Sequence, residues 1–225
     1  MDERLGVLNR RHFILAGTLA GSAGSWLSAH AQSAAGKTGA PVILVVGDSL
    51  SAEYGLKRGE GWVPLLEKRL GQQKIPATVI NASISGDTSS GGRARLGTLL
   101  AQHKPTLVVI ELGANDALRG LPIQNTQDNL TQMTKASQAA GAQVLIVGIQ
   151  VPPNYGGDYL RRFEQMFLDV ARATKAAVVP FLLRGVADGP DAATLFQADR
   201  IHPVAAAQPR MLDNVWPELR KLLQK

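Results

Sequence analysis

The stretch Val42-Ile43-Leu44-Val45-Val46-Gly47-Asp48-Ser49-Leu50-Ser51 sets the fold class. A run of aliphatic, mostly β-branched residues that stops at a glycine reads as a strand buried on both faces, the kind found inside a parallel sheet. The polar turn after it then lies at the strand's carboxyl end, where open α/β sheets bind their ligands. Gly47 lets the chain turn tightly there, and Ser49 follows at once. From this stretch alone two readings of Ser49 stand open: a nucleophile at the sheet edge, or, with Asp48, a cap for the next helical turn.

Outward from this stretch, strand and helix alternate. Trp62–Leu70 is predicted helical, with Pro64 in its first turn and Gly71 as its stop. Ala77–Asn81 is a short strand running into a polar, Gly-rich loop to Gly92, and a helix is expected from Gly92 to Gln102 with Leu96, Leu99 and Leu100 buried. Thr106–Glu111, nearly all apolar, is a central strand that ends in Leu112-Gly113-Ala114-Asn115-Asp116, a polar loop. Thr126–Ala140 reads as a helix closed by Gly141, Gln143–Ile149 as the fourth strand, and Asp158–Lys175 as the longest helix. Ala177–Phe181 is the fifth strand, and Ala205–Leu223 a closing helix interrupted or kinked at Pro217. Five strands alternating with helices predict a doubly wound, flavodoxin-like, mostly parallel sheet covered on both faces.

The N-terminal stretch stands outside this pattern. Asn9-Arg10-Arg11-His12-Phe13-Ile14-Leu15 carries a twin arginine, a mildly apolar run continues to Leu27, and Ala29-His30-Ala31 is a small-x-small cleavage site. Residues 1–31 are therefore expected to be a twin-arginine-type signal peptide cut after Ala31, handled by the twin-arginine export machinery and leaving a periplasmic protein. The apolar run falls short of the roughly twenty residues that span a bilayer, so no stable membrane anchor is expected. Residues 32–40 are a small-residue linker and 41–225 one domain.

The 24 Lys and Arg against 18 Asp and Glu leave a net charge of +6, in scattered positions without a basic run interleaved with aromatics, which argues against a nucleic-acid partner. The chain has no cysteine, which excludes a disulfide framework, a thiol nucleophile and a Cys-ligated metal.

Four polar segments, 47–51, 81–88, 111–116 and 199–203, follow strands or the last connection, and a parallel sheet brings such loops to one edge. Beyond the signal the histidines are His103 and His202. His103 ends a helix beside Lys104 and Pro105, where the dipole favours a surface role. His202 follows Asp199 by three residues, within reach of a carboxylate that would accept the Nδ1 proton. Gly86 can bring its N–H close to a ligand and Asn115 carries an amide donor, the two kinds of group an oxyanion needs. Singly, Gly86 also reads as a turn glycine, Asn115 as an Asx turn and Asp-x-x-His as ordinary surface polarity.

Taken together, Gly47-Asp48-Ser49-Leu50-Ser51, Asn81-Ala82-Ser83-Ile84-Ser85-Gly86-Asp87-Thr88, Gly113-Ala114-Asn115-Asp116 and Asp199-Arg200-Ile201-His202-Pro203 resemble the four ordered blocks of the SGNH (GDSL) hydrolases. The resemblance runs from about Val42 to the C-terminus. It implies a three-layer α/β/α sandwich that hydrolyses carboxylic esters and thioesters, among them aryl esters and lysophospholipids, without metal or cofactor. It also implies Ser49 as nucleophile, His202 as base oriented by Asp199, and an oxyanion hole from the N–H groups of Ser49 and Gly86 with the Asn115 amide. Ala114, Arg200 and Val204 depart from common choices in these blocks, the last two on the loop that carries the base. Asp48 is a second candidate acid beside its reading as a structural hydrogen bonder. A carbohydrate O-acetyl esterase would share these residues, and a noncatalytic flavodoxin-like binding module is the alternative from outside enzymology.

Overall fold

The computed structural model describes residues 39–224; the expected signal peptide, 1–31, and most of the expected linker lie outside the described residues. Five strands form the sheet: β1 (Val42–Gly47), β2 (Thr78–Asn81), β3 (Leu107–Glu111), β4 (Gln143–Val147) and β5 (Ala177–Val179). All pairs are parallel and the order is β2-β1-β3-β4-β5. The chain leaves β1 in one direction to form β2 and returns to its other side to form β3, so the crevice opens where β1 and β3 adjoin. Gly47 pairs with Glu111 at the carboxyl end of this junction.

The helices are α1 (Trp62–Gln72), α2 (Ser89–His103), α3 (Ala114–Leu118), α4 (Ile123–Ala139), α5 (Gly157–Thr174) and α6 (Gln208–Leu223). Helices α1 and α6 pack together on one face, and α2, α4 and α5 on the other, which makes the three layers. Between them Ile43 to Val46, Val108 to Ile110, Leu145 and Ile146 are fully buried. Burying each such side chain contributes about 1.5–3 kcal/mol over leaving it in water.

Several boundaries differ from expectation for local reasons. Helix α2 starts at Ser89 rather than Gly92, because the Thr88 hydroxyl accepts the N–H of Gly91 at 3.2 Å and buried Asp116 accepts the N–H of Ser89 at 2.8 Å. Gly71 does not stop α1, which runs one residue further. The expected loop at 112–116 holds the short helix α3, entered through Gly113 at φ +127°. Ala205–Ala207 forms a separate 3-10 turn before α6, and α6 passes Pro217 without interruption. Pro217 and Asp213, whose carbonyl loses its donor, both lie on the exposed face, so the lost hydrogen bond is not in the core.

Candidate active site

The turn after β1 is held by the Asp48 carbonyl, which accepts the N–H groups of Ser51 (3.2 Å) and Ala52 (3.0 Å), and by the Asp48 carboxylate, which accepts that of Leu50 (3.0 Å). Ser49 stands at the head of this turn, with its Oγ 2.8 Å from His202 Nε2. His202 Nδ1 lies 2.7 Å from Asp199 Oδ2, while Asp199 Oδ1 accepts the backbone N–H groups of Ile201 (2.9 Å) and His202 (3.0 Å). The backbone N–H of His202 first, its ring second and the N–H of Ile201 third hold the Asp199 carboxyl down at about 2. An ionised carboxylate only accepts, so the Nδ1 of His202 carries a proton and its Nε2 is left to accept the proton of Ser49. The ring of Tyr54 lies over the imidazole, with centroids 4.3 Å apart.

Asn115 sits in the first turn of α3, and its Nδ2 donates to Asp48 Oδ2 at 3.1 Å, which occupies one of its two amide hydrogens and leaves the other. Asp48 therefore meets Leu50 and Asn115 rather than the imidazole nitrogens, both of which are engaged elsewhere. Gly86 adopts φ +80°, a conformation that glycine takes without strain. Its carbonyl accepts Arg119 Nη2 at 2.7 Å, and its loop is tied to β1 by the Ile84 N–H donating to the Gly47 carbonyl at 3.0 Å. Neither the Gly86 nor the Ser49 N–H meets an acceptor among the described residues. A cleft of about 510 Å³ opens at this point, walled by Ser49, Asn115 and His202 and by apolar Leu118, Leu160 and Phe181. Ser49, His202, Asp199 and Asn115 are thus brought together, and Gly86 stands on the adjacent loop after β2, which is tied to the carboxyl end of β1. Among the described residues no group of acidic and histidine side chains is arranged to hold a metal ion.

The chain matches the model of the GDSL-like lipase/acylhydrolase family over residues 45–208, a span that includes the serine turn and the His202 loop. The chain belongs to this family. As a GDSL-like hydrolase it is an esterase, and its relatives agree: it is 54% identical to Esterase TesA of Pseudomonas aeruginosa over 82% of this chain and 90% of that one. It is 40% identical to the thioesterase 1/protease 1/lysophospholipase L1 of Escherichia coli K12 over 82% of this chain and 86% of that one. The crystal structure of TesA superposes with a TM-score of 0.77 over 80% of this chain and 99% of that one.

Behind the serine turn of this GDSL-like hydrolase lies a polar cluster that the sequence patterns did not reveal. Ser51 Oγ donates to Glu111 Oε2 at 2.7 Å and accepts Trp62 Nε1–H at 3.2 Å, all of it buried. Gly47 is required here, because a Cβ would stand 2.9 Å from both Glu111 Oε2 and Ser51 Oγ. Burial first and the neighbouring Asp48 charge second push the Glu111 carboxyl well above the usual carboxylate range. Burial also raises Asp48, to about 6. The available signal was an acidic residue ending an otherwise apolar central strand, since such a group is buried only with a partner or a proton.

Proposed function

We propose that this esterase works through an acyl-enzyme formed on Ser49, with His202 as general base and acid, Asp199 as its orienting acid, and the Ser49 and Gly86 N–H groups with the Asn115 amide as oxyanion donors. The observation that carries this reading is the relay from Ser49 Oγ to His202 Nε2 (2.8 Å) and from His202 Nδ1 to Asp199 Oδ2 (2.7 Å) at the mouth of an apolar cleft. His202 takes the Ser49 proton as Oγ attacks the ester or thioester carbonyl, and returns it to the departing oxygen or sulfur. Water, activated by the same imidazole, then hydrolyses the acyl-serine. The apolar wall suits an acyl chain, and the relatives' names as esterase, thioesterase and lysophospholipase support carboxylic esters, acyl thioesters and lysophospholipids as the substrate class. A fluorophosphonate should label Ser49 in the folded protein, with the adduct located by mass spectrometry. Label on another serine, or none, would overturn the assignment.

We further propose export by the twin-arginine machinery, cleavage after Ala31 and a periplasmic enzyme, a reading that the twin arginine Arg10-Arg11 and the Ala29-His30-Ala31 site support. Exported protein should begin at Gln32, and Arg10→Lys with Arg11→Lys should retain it in the cytoplasm. Full-length protein found there irrespective of the substitutions would refute export.

A further inference from the structure

The turn that carries His202 also carries a charge that acyl transfer does not use. Arg200 holds φ +58°, in the left-handed region that strains a residue with a side chain. The turn does not need an arginine for its own hydrogen bonds. The Arg200 N–H donates to the Gln197 carbonyl at 2.9 Å, and Asp199 Oδ1 takes the next two N–H groups. Arg200 is instead one of the residues of the cleft wall, and its side chain makes no ion pair with the described residues. Each acid nearby is engaged. Asp199 is bound to the imidazole, Asp48 accepts from Leu50 and Asn115, and Asp188, also on the wall, accepts the N–H of Gly185. Among the described residues Arg200 is thus an exposed guanidinium without a carboxylate partner, on the same cleft as Ser49.

Its position relative to the chemistry decides what it meets. His202 Nε2 hands its proton to the leaving oxygen or sulfur, so the leaving group departs on the side of the 199–202 turn, while the apolar wall of Leu118, Leu160 and Phe181 is left to the acyl chain. A guanidinium at that place presents a planar fork of N–H donors matched to phosphate oxygens. Resting on the acyl-enzyme reading above, we propose that Arg200 recognises phosphate on the leaving group, so that the enzyme prefers esters or thioesters whose alcohol or thiol part is phosphorylated. Two sources carry that chemistry: a glycerophosphate headgroup and the phosphates of coenzyme A.

The test compares full-chain enzyme with Arg200→Gly, which suits the left-handed backbone, and Arg200→Lys. Two substrate pairs with the same acyl group are used: acyl-glycerophosphate against monoacylglycerol, and acyl-coenzyme A against acyl-pantetheine. The measurement is the ratio of kcat/KM within each pair. In Arg200→Gly the phosphorylated-to-neutral ratio should fall about tenfold, with Arg200→Lys between, as for loss of a charge-assisted bond at a partly exposed site. Added salt should erode the wild-type ratio and leave that of Arg200→Gly flat. A fall confined to the first pair assigns the site to a lipid headgroup, and one confined to the second to coenzyme A. Unchanged ratios in both pairs would overturn the proposal, as would an equal loss on all four substrates, which would make Arg200 a positioning residue for the turn. Wild type that turns over none of the four, and no simple ester either, would overturn the acyl-enzyme reading itself.

Discussion

Replacing Asp48 with Asn should flatten the dependence of stability on pH. Asp48 is fully buried behind Ser49, and burial raises its carboxyl from 3.8 to about 6 against the opposing pull of the Leu50 N–H, the His202 charge and the Asn115 amide. An acid raised on folding binds its proton more tightly in the native state. Its contribution is therefore fully present below 3.8 and is lost as pH rises through about 6. That span, at about 1.36 kcal/mol for each tenfold change in proton affinity, amounts to about 3 kcal/mol at mildly alkaline pH. Asn does not titrate, so the variant lacks this loss. It carries a separate cost that is independent of pH, because one amide oxygen cannot accept from both Leu50 and Asn115 with the geometry of two carboxylate oxygens. The difference between slopes removes that cost. Removing the Asp48 charge also relieves Glu111, which adds to the effect in the same direction. Urea unfolding of both proteins from about pH 4 to about pH 8 measures it. Wild type should lose about 3 kcal/mol more than the variant across that range, and parallel curves would refute the reasoning.

Asn115→Ala should lower kcat by about 10² to 10³ with little change in KM, because a donor aimed at the oxyanion acts mainly in the transition state. Steady-state kinetics on a short-chain ester, with the melting temperature of the same sample, checks this; near-normal kcat would remove Asn115 from the site. Gly148→Ala should destabilise by about 1–3 kcal/mol, since its Cβ would run into the Pro180 carbonyl oxygen, which is backbone and has little room to move. Denaturant unfolding measures that cost, and an unchanged midpoint would show that the segments following β4 and β5 move apart.

The parts of the fold legible in the sequence are those where a pattern repeats within one element. Val42–Gly47 and Leu107–Glu111 are buried on both faces, so every residue carries the signal, and the strand order brings their ends together as expected. Helix α3 escaped notice because five residues hold little more than one turn, too few for periodicity to register. Pro217 misled because its effect depends on which face of α6 it occupies, and exposure is a property of packing rather than of the dipeptide. The residues around Ser49 were legible because each ends a strand or sits in a short Asp-x-x-His turn. Ser51 and Glu111 are 60 residues apart, and Asp48 and Asn115 are 67 apart. Only the register of β1 against β3 makes them neighbours.

That register also explains how Asp48 and Glu111 come to lie side by side in the interior. Burial raises both carboxyls, and the Leu50 N–H and Asn115 amide that Asp48 accepts favour placing the negative charge of the pair on Asp48. An ionised carboxylate offers acceptors only, and it compels Asn115 to turn its Nδ2, never its Oδ1, toward Asp48. A neutral amide or hydroxyl there would let Asn115 lie either way round, with its carbonyl oxygen toward the place where an oxyanion would form. Trp62, through Ser51, holds the far side of Glu111 and keeps the cluster from shifting. The stability given up by ionising Asp48 thus fixes one orientation of the proposed donor. The two effects separate in Asp48→Asn: stability should lose the part of its pH dependence that Asp48 contributes while kcat falls toward that of Asn115→Ala. A variant with the flattened stability profile but normal kcat would show that the Asn115 amide is oriented by something other than this charge.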